Sequence, residues 1–285
     1  MMKMQPETEF GKKDGKLTLM FFSPHPDDIE IGVPFQYING VRRGDKIIEV
    51  LMTNGEFGTD RDEFKGKRLV KIRAKELENS NNILIKNINP NNRIKLIRLG
   101  YIDGHLPFTN KTIQRITDLI KQESPHIIFT CDPWYVQDYH PDHVNTGRLV
   151  YFALKRLKKS ELPLKVFYYY TTKADTYLKC NWSDFKIVKL MQSQHKSQYS
   201  PFENKIFITI YNKLSVIKHF FECGYFSESF RSQKFNNNKI VSPKPFNKMG
   251  FSKRILYYIL NYFTEKGYKK FHNLSIEDLK NRGQI

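Results

Sequence analysis

The chain has 285 residues and a formal net charge of +18, from 47 Lys+Arg against 29 Asp+Glu. Hydrophobic residues at 40% and aromatics at 14% exclude a disordered chain and supply enough apolar surface for a buried core. Three scattered cysteines (Cys131, Cys180, Cys223) form no CxxC pair, which excludes a disulfide scaffold and a thiolate zinc site and fits a reducing, cytoplasmic compartment.

Residues 1–14 are polar and charged, with no secretory leader pattern, and no run reaches the roughly 20 apolar residues that cross a bilayer. A soluble or peripheral protein is expected. Leu17–Phe22 reads as a buried strand, followed by strand patterns at Asp45–Thr53, Arg93–Leu99, His126–Cys131 and Lys165–Tyr170. Between them fall helical patterns at Ile29–Arg43, Lys65–Asn81, Thr112–Glu123 and Asp142–Lys158. This alternation predicts an α/β fold: a doubly wound, Rossmann-like parallel sheet with helices on both faces. After Tyr170 the alternation fades into a helix at Trp182–Gln194, a strand at Lys205–Ile210 and a short apolar helix at Ser215–Cys223. Phe235–Lys239 and Ser242–Phe246 read as loop or linker. The expected division is a catalytic domain over residues 1–232 and a basic helical extension over 233–285.

Two motifs stand out. His25-Pro26-Asp27-Asp28-Ile29-Glu30 lies where the first strand gives way to the first helix, and His140-Pro141-Asp142-His143 opens the helix after the fourth strand. They are 115 residues apart, yet in a sheet of order 3-2-1-4-5 strands one and four are neighbours at the switch point, where such sheets bind ligands. Imidazole and carboxylate without thiolate suit zinc or a similar divalent ion. Three ligands and an open water position make a hydrolytic site, leaving surplus groups for acid and base work. Adjacent Asp27 and Asp28 point different ways, so one is free for metal and the other for substrate. Alone, an Asp-Asp pair before a helix is an N-cap; the two motifs together are harder to dismiss.

The HPDDxE and HPDH motifs resemble those of the LmbE-like family of metal-dependent deacetylases, which includes the PIG-L enzymes acting on N-acetylglucosaminyl groups. Thr53-Asn-Gly-Glu56 with Gly58, the Arg73/Glu76 pair, Asp103-Gly104, His195-Lys-Ser-Gln198 and Glu228-Ser-Phe230 are similar to further family elements, so the likeness spans about Leu17–Phe230. The resemblance implies His25, Asp28 and His143 as ligands of Zn2+, or of Fe2+ in the cell. It also implies Asp27 as general base and His140 as a cationic acid or electrostatic partner. The implied activity is removal of acetyl from an N-acetylated sugar or glycoconjugate. Two departures bear on the substrate. Ile31-Gly-Val-Pro-Phe35 replaces a glycine run, either narrowing the crevice floor or altering packing, and Tyr139 stands where several members carry arginine.

Glu56, Arg73, Asp103 and Tyr139 are the candidate substrate contacts. For Glu56 and Asp103 turn capping is an equal alternative, and for Arg73 an i,i+3 surface pair with Glu76. His105, His126, His195 and His219 read as packing or hydrogen-bonding residues, and Tyr168–Tyr170 as part of a strand. The absence of GxxxxGK[ST], and of GxGxxG after the first strand, leaves no nucleotide-cofactor motif.

Residues 231–285 hold 12 basic and 3 acidic side chains. The Lys253–Lys270 segment reads either as a packed or oligomer-contact helix or as an interfacial helix on anionic membrane. Two further activities stay open: a deacylase of lipid-linked or other acylated amines, and a non-catalytic basic module for nucleic acid or anionic polymer.

Overall fold

The computed structural model describes residues 16–59, 61–137, 140–198, 209–236, 239–240, 277 and 280. The strands are β1 (Thr18–Ser23), β2 (Lys46–Thr53), β3 (Ile94–Tyr101), β4 (Ile127–Cys131) and β5 (Lys165–Tyr169), then β6 (Thr176–Lys179) and β7 (Ser227–Ser232). A seven-stranded sheet runs β3-β2-β1-β4-β5-β7-β6. The first five strands are parallel, so the order 3-2-1-4-5 holds and β1 pairs with both β2 and β4. β7 joins antiparallel to β5, and β6 antiparallel to β7, so the sheet is mixed at one edge. That edge has no sequence signature: Ser227-Glu-Ser-Phe-Arg-Ser232 is too polar to read as a strand.

Helices cover both faces because successive strand residues point to opposite sides. Leu19, Phe21, Ile127 and Phe129 pack on one side against α1 (Asp28–Gly32), α2 (Pro34–Arg43), α3 (Lys67–Ile88), α6 (Phe185–Gln192) and α7 (Thr209–Cys223), through Ile29, Val41, Leu84, Met191 and Val216. Met20, Phe22 and Ile128 meet α4 (Asn110–Glu123) and α5 (Pro141–Arg156) on the other, through Ile116, Leu149 and Val150. β3 forms the other edge and exposes Lys95, a charged guard against further pairing.

Three expectations are corrected. The helix expected over Ile29–Arg43 is two, because Val33 precedes Pro34 and leaves helical geometry at φ −148°. The strand expected over Lys205–Ile210 ends in residues that open α7, and residues 205–208 lie outside the described set. Phe235–Lys239, expected as loop, holds β8 (Phe235–Asn236) and the first residue of β9 (Lys239–Ile240), antiparallel partners whose Phe235 and Ile240 pack on the α4/α5 side of the core. The Lys253–Lys270 segment lies outside the described residues, as does Ser242–Phe246. Among the described residues no helix is long and apolar enough to cross a membrane.

Close packing of α5 on the end of β4 aims the second motif. A Cβ on Gly147 would sit 2.4 Å from the Cys131 carbonyl oxygen, so only glycine permits this approach. Asp132 then anchors the intervening loop. Its Oδ1 accepts from the Trp134 and Tyr135 amides, and Arg231 of β7 donates to both carboxylate oxygens at 2.6 and 2.9 Å.

Candidate functional site

The first motif leaves β1 in a turn fixed by its neighbours. The Pro24 carbonyl accepts from Thr53 N and Oγ1 at the end of β2, and Ser23 Oγ donates to the His25 carbonyl. The second motif starts α5 with Pro141 in the first turn, where its missing N–H costs nothing. The Asp142 amide donates to His140 Nδ1, which caps the helix and puts that ring's own proton on Nε2.

Both motifs meet. His25 Nδ1 lies 3.1 Å from Asp28 Oδ2 and 3.3 Å from His143 Nε2, and His143 Nε2 lies 3.2 Å from Asp28 Oδ1. A tetrahedral metal with bonds of about 2.0–2.1 Å has ligand–ligand edges of about 3.3–3.4 Å. The two imidazole nitrogens match such an edge, and the Asp28 carboxylate spans them with one oxygen toward each, a donor set that could hold a divalent ion. His140 belongs to the same cluster, since its donor atom lies within 4.8 Å of those of His25 and His143. On the far side, His25 Nε2 faces Asp103 Oδ1 at 3.1 Å and Asp142 Oδ2 at 3.3 Å.

The electrostatics are those of a cation site. Burial opposes charge on His25, but Asp103, Asp142 and Asp28 outweigh it and hold its pKa well above the ordinary value. Burial likewise opposes charge on Asp28 and Asp103; the facing imidazoles win and keep both carboxyls well below the usual range. His140 goes the other way, pushed down to about 4 by burial and by His25 and His143.

Asp27 stands at the N-cap of α1 but makes no capping bond. Its Oδ1 instead accepts from Arg73 Nη2 at 2.5 Å. Arg73 is only 1% exposed, so the alternative of a surface pair with Glu76 does not hold: Glu76 accepts from the Ser197 amide and hydroxyl instead, at 2.8 and 2.7 Å. Arg73 lies behind Asp27 and also donates to the Gly55 carbonyl at 3.3 Å. Glu56 and Asp103 latch two turns together: Asp103 N donates to Glu56 Oε2 at 2.9 Å, and Phe57 N to Asp103 Oδ2 at 3.1 Å. Burial raises the Glu56 carboxyl. Tyr139 lies outside the described residues.

The remaining histidines among the described residues hydrogen-bond elsewhere: His105 with the Asp103 carbonyl, His126 with the Thr18 amide, His195 with Glu30, and His219 with the Ser227 carbonyl.

Two residues of the site carry no role in the sequence reading. Asp142 is fully buried; its carboxylate accepts from the Gly104 and Leu106 amides at 2.6 and 3.1 Å and so ties the turn after β3 to His25. Tyr170, expected within a strand, leaves β5 with φ +52°, a left-handed conformation costly for a bulky residue. That turn stacks its ring on His143 at 5.3 Å and sets its hydroxyl 3.2 Å from Asp28 Oδ1. A Cβ on Gly32 would come within 2.6 Å of Tyr169 and 3.0 Å of Tyr170, so the single glycine kept from the run makes room for these rings.

Comparison with known proteins agrees with this geometry. A family model described as PIG-L, GlcNAc-PI de-N-acetylase, matches residues 20–154, which include both histidine motifs. A diacetylchitobiose deacetylase of Thermococcus kodakarensis is 31% identical over 196 residues, covering 64% of this chain and 70% of that protein. Among solved structures, the N,N'-diacetylchitobiose deacetylase of Pyrococcus horikoshii superposes with a TM-score of 0.66 at 24% identity, over 80% of this chain and 85% of that one. A 4-carboxy-2-hydroxymuconate hydratase of Pseudomonas putida superposes with a TM-score of 0.61 at 13% identity, over 82% and 100%. The fold by itself thus does not fix the chemistry. With both motifs inside the matched family segment, and a relative of this identity, the chain belongs to the PIG-L family of LmbE-like de-N-acetylases, hydrolases of amide C–N bonds.

Proposed function

We propose that this protein removes the acetyl group from an N-acetylated sugar or glycoconjugate, using a zinc ion held by His25, Asp28 and His143. One observation carries the reading: two imidazole nitrogens from distant motifs stand 3.3 Å apart, each 3.1–3.2 Å from a different oxygen of the Asp28 carboxylate, beside a second carboxylate held by a buried arginine. The ion supplies Lewis-acid chemistry, polarising the amide carbonyl and acidifying water toward a pKa of about 7.

The protein's own groups do the rest. Asp27 Oδ1 is fixed by Arg73, which aims the carboxylate to take a proton from the attacking water and return it to the departing amine. His140 Nε2 faces the crevice with Nδ1 already bonded to the Asp142 amide, so its N–H is oriented to donate to the developing oxyanion. Glu56, Asp103 and Tyr139 remain proposed contacts for substrate hydroxyls, whereas the burial of Arg73 argues for positioning.

Three free cysteines are consistent with a cytoplasmic site of action. We keep residues 1–232 as the catalytic unit and 233–285 as a basic extension suited to an anionic surface, by its 12 basic against 3 acidic residues over 231–285.

The test is to incubate the zinc-loaded protein with N-acetylhexosamine conjugates and measure free amine and acetate in equal amounts. Absence of both products across the panel, with metal bound stoichiometrically, would refute the reading; elemental analysis of the protein as isolated distinguishes zinc from iron.

A further inference from the structure

Asn212, Val216 and His219 of α7 turn toward the core and are buried. The opposite face carries Leu214, Ile217, Lys218 and Phe221, at the i, i+3, i+4, i+7 spacing of a single stripe. It points outward: Leu214 is 60% exposed and Phe221 82%. A surface helix ordinarily presents polar side chains there. Of the seven large hydrophobic side chains exposed among the described residues, five lie between Trp182 and Phe221. Scattered singly such residues mean little, but gathered in one region they mark an interaction surface.

Aromatic rings extend the stripe sideways. Phe221 meets Phe220, Phe220 stacks on Phe226, and Phe226 meets Trp182, with centroids 5.9, 4.9 and 4.9 Å apart. Trp182, just before α6, is itself 41% exposed. The charge around these rings has one sign. Among the described side chains, α6 and α7 carry Lys186, Lys189, Lys213 and Lys218 and no acid. Protruding apolar groups set among lysines fit an anionic lipid surface: rings and leucine enter the acyl boundary, and the ammonium groups stay at the headgroup phosphates. A second copy of the chain fits worse. A two-fold contact through this face would set the lysines against their own counterparts, in a chain whose net charge is already +18.

We propose that the outer face of α7, with Phe220 and Trp182 beside it, seats this protein on anionic membrane. The contact belongs to the folded domain, separate from the basic extension, and stands whether or not the de-N-acetylase reading holds. Leu214 and Lys218 also edge a cavity lined by Tyr170, the ring stacked on His143, so the seated surface adjoins the candidate site.

The test is co-sedimentation of the full chain with phosphatidylcholine vesicles, with and without phosphatidylglycerol. Binding is expected only to the anionic vesicles, weakening as salt rises. Phe221→Ser and Leu214→Ser, each checked for fold by circular dichroism, are expected to weaken it by about fivefold or more. Lys213→Glu combined with Lys218→Glu is expected to weaken it by about tenfold or more. The chain's two tryptophans are Trp134 and Trp182, and residues 233–285 hold none. Quenching by brominated lipid that disappears in Trp182→Phe therefore ties the contact to this face. Should one serine variant not fold, the other and the quenching decide. No binding, equal binding to uncharged vesicles, or binding and quenching indifferent to these variants overturns the proposal. So does a dimer in sedimentation equilibrium that Phe221→Ser dissociates while vesicle binding stays as in the wild type.

Discussion

Arg73 Nη2 donates to Asp27 Oδ1 at 2.5 Å, joining the middle of the first histidine motif to a helix 46 residues further along the chain. The guanidinium is buried, so the pair is an internal one in which the arginine's job is to hold the carboxylate and its charge. Arg73→Lys keeps the charge and loses the planar fork. Its kcat is expected to fall about tenfold to a hundredfold with KM within about twofold. Arg73→Ala strands the buried carboxylate and is expected to cost about 3–5 kcal/mol in urea unfolding. A rise in KM at unchanged kcat in Arg73→Lys would instead make this residue a substrate contact.

Metal dependence should be visible in stability as well as turnover. Any ion that binds only the folded chain raises its midpoint, by about 4 kcal/mol at a thousandfold excess over Kd. Chelation is expected to lower Tm by several degrees while far-UV circular dichroism persists, because the core clusters do not depend on the site. His25→Ala and His143→Ala should each lose the stoichiometric ion and the chelator response.

Asp142 touches the proposed ligand His25 and, through two backbone amides, the turn after β3. Asp142→Asn turns one acceptor into a donor facing N–H groups, an expected loss of about 1–3 kcal/mol. Weakening the partner of a ligating histidine typically costs 10–100-fold in metal affinity. Competition with a chromogenic chelator measures the second effect, and unfolding of the metal-free protein the first.

The strained Tyr170 should reveal itself through its neighbour. Gly32→Ala forces a methyl into the Tyr169 and Tyr170 rings, and overpacking of this kind costs about 1–3 kcal/mol. Tyr170→Phe keeps the ring stacked on His143 and removes only the hydroxyl beside Asp28. It is expected to fold normally and lose activity about threefold to tenfold, near the worth of one hydrogen bond.

Glu49 gives a pH dependence remote from the site. Burial, and then the neighbouring Glu30 carboxylate, raise its pKa from 4.5 to about 7. Between those values the native state keeps the proton and the unfolded chain releases it, so stability falls as pH rises through this window. The loss is on the order of 2–3 kcal/mol by pH 7. Glu49→Gln, which keeps an oxygen for Tyr37 and Asn81, should flatten the slope in denaturation curves at pH 4.5–7.5.

Much of the frame was legible because periodicity reports burial. Leu17–Phe22 and His126–Cys131 declare buried parallel strands, and from those the order 3-2-1-4-5 and the convergence of His25 with His143 follow. Arg73 carried a signal that was readable in principle. Leu69, Leu77 and Leu84 mark the inward stripe of α3, and Arg73, Glu76 and Ser80 fall on that stripe, where a surface pair cannot lie. β7 and the left-handed turn at Tyr170 had no such signal. A polar strand inserted between two others, as β7 is between β5 and β6, is specified by its partners, here Arg231 on Asp132, and not by its own alternation.

Sequence alone determined which residue types are available for the chemistry and which strand ends present them, since both follow from local pattern and the handedness of crossovers. Tertiary structure decided what each carboxylate faces: Asp28 the histidines, Asp27 an arginine, Asp142 two backbone amides and His25. Side-chain direction in a turn is set by contacts from distant segments, and no local pattern encodes them.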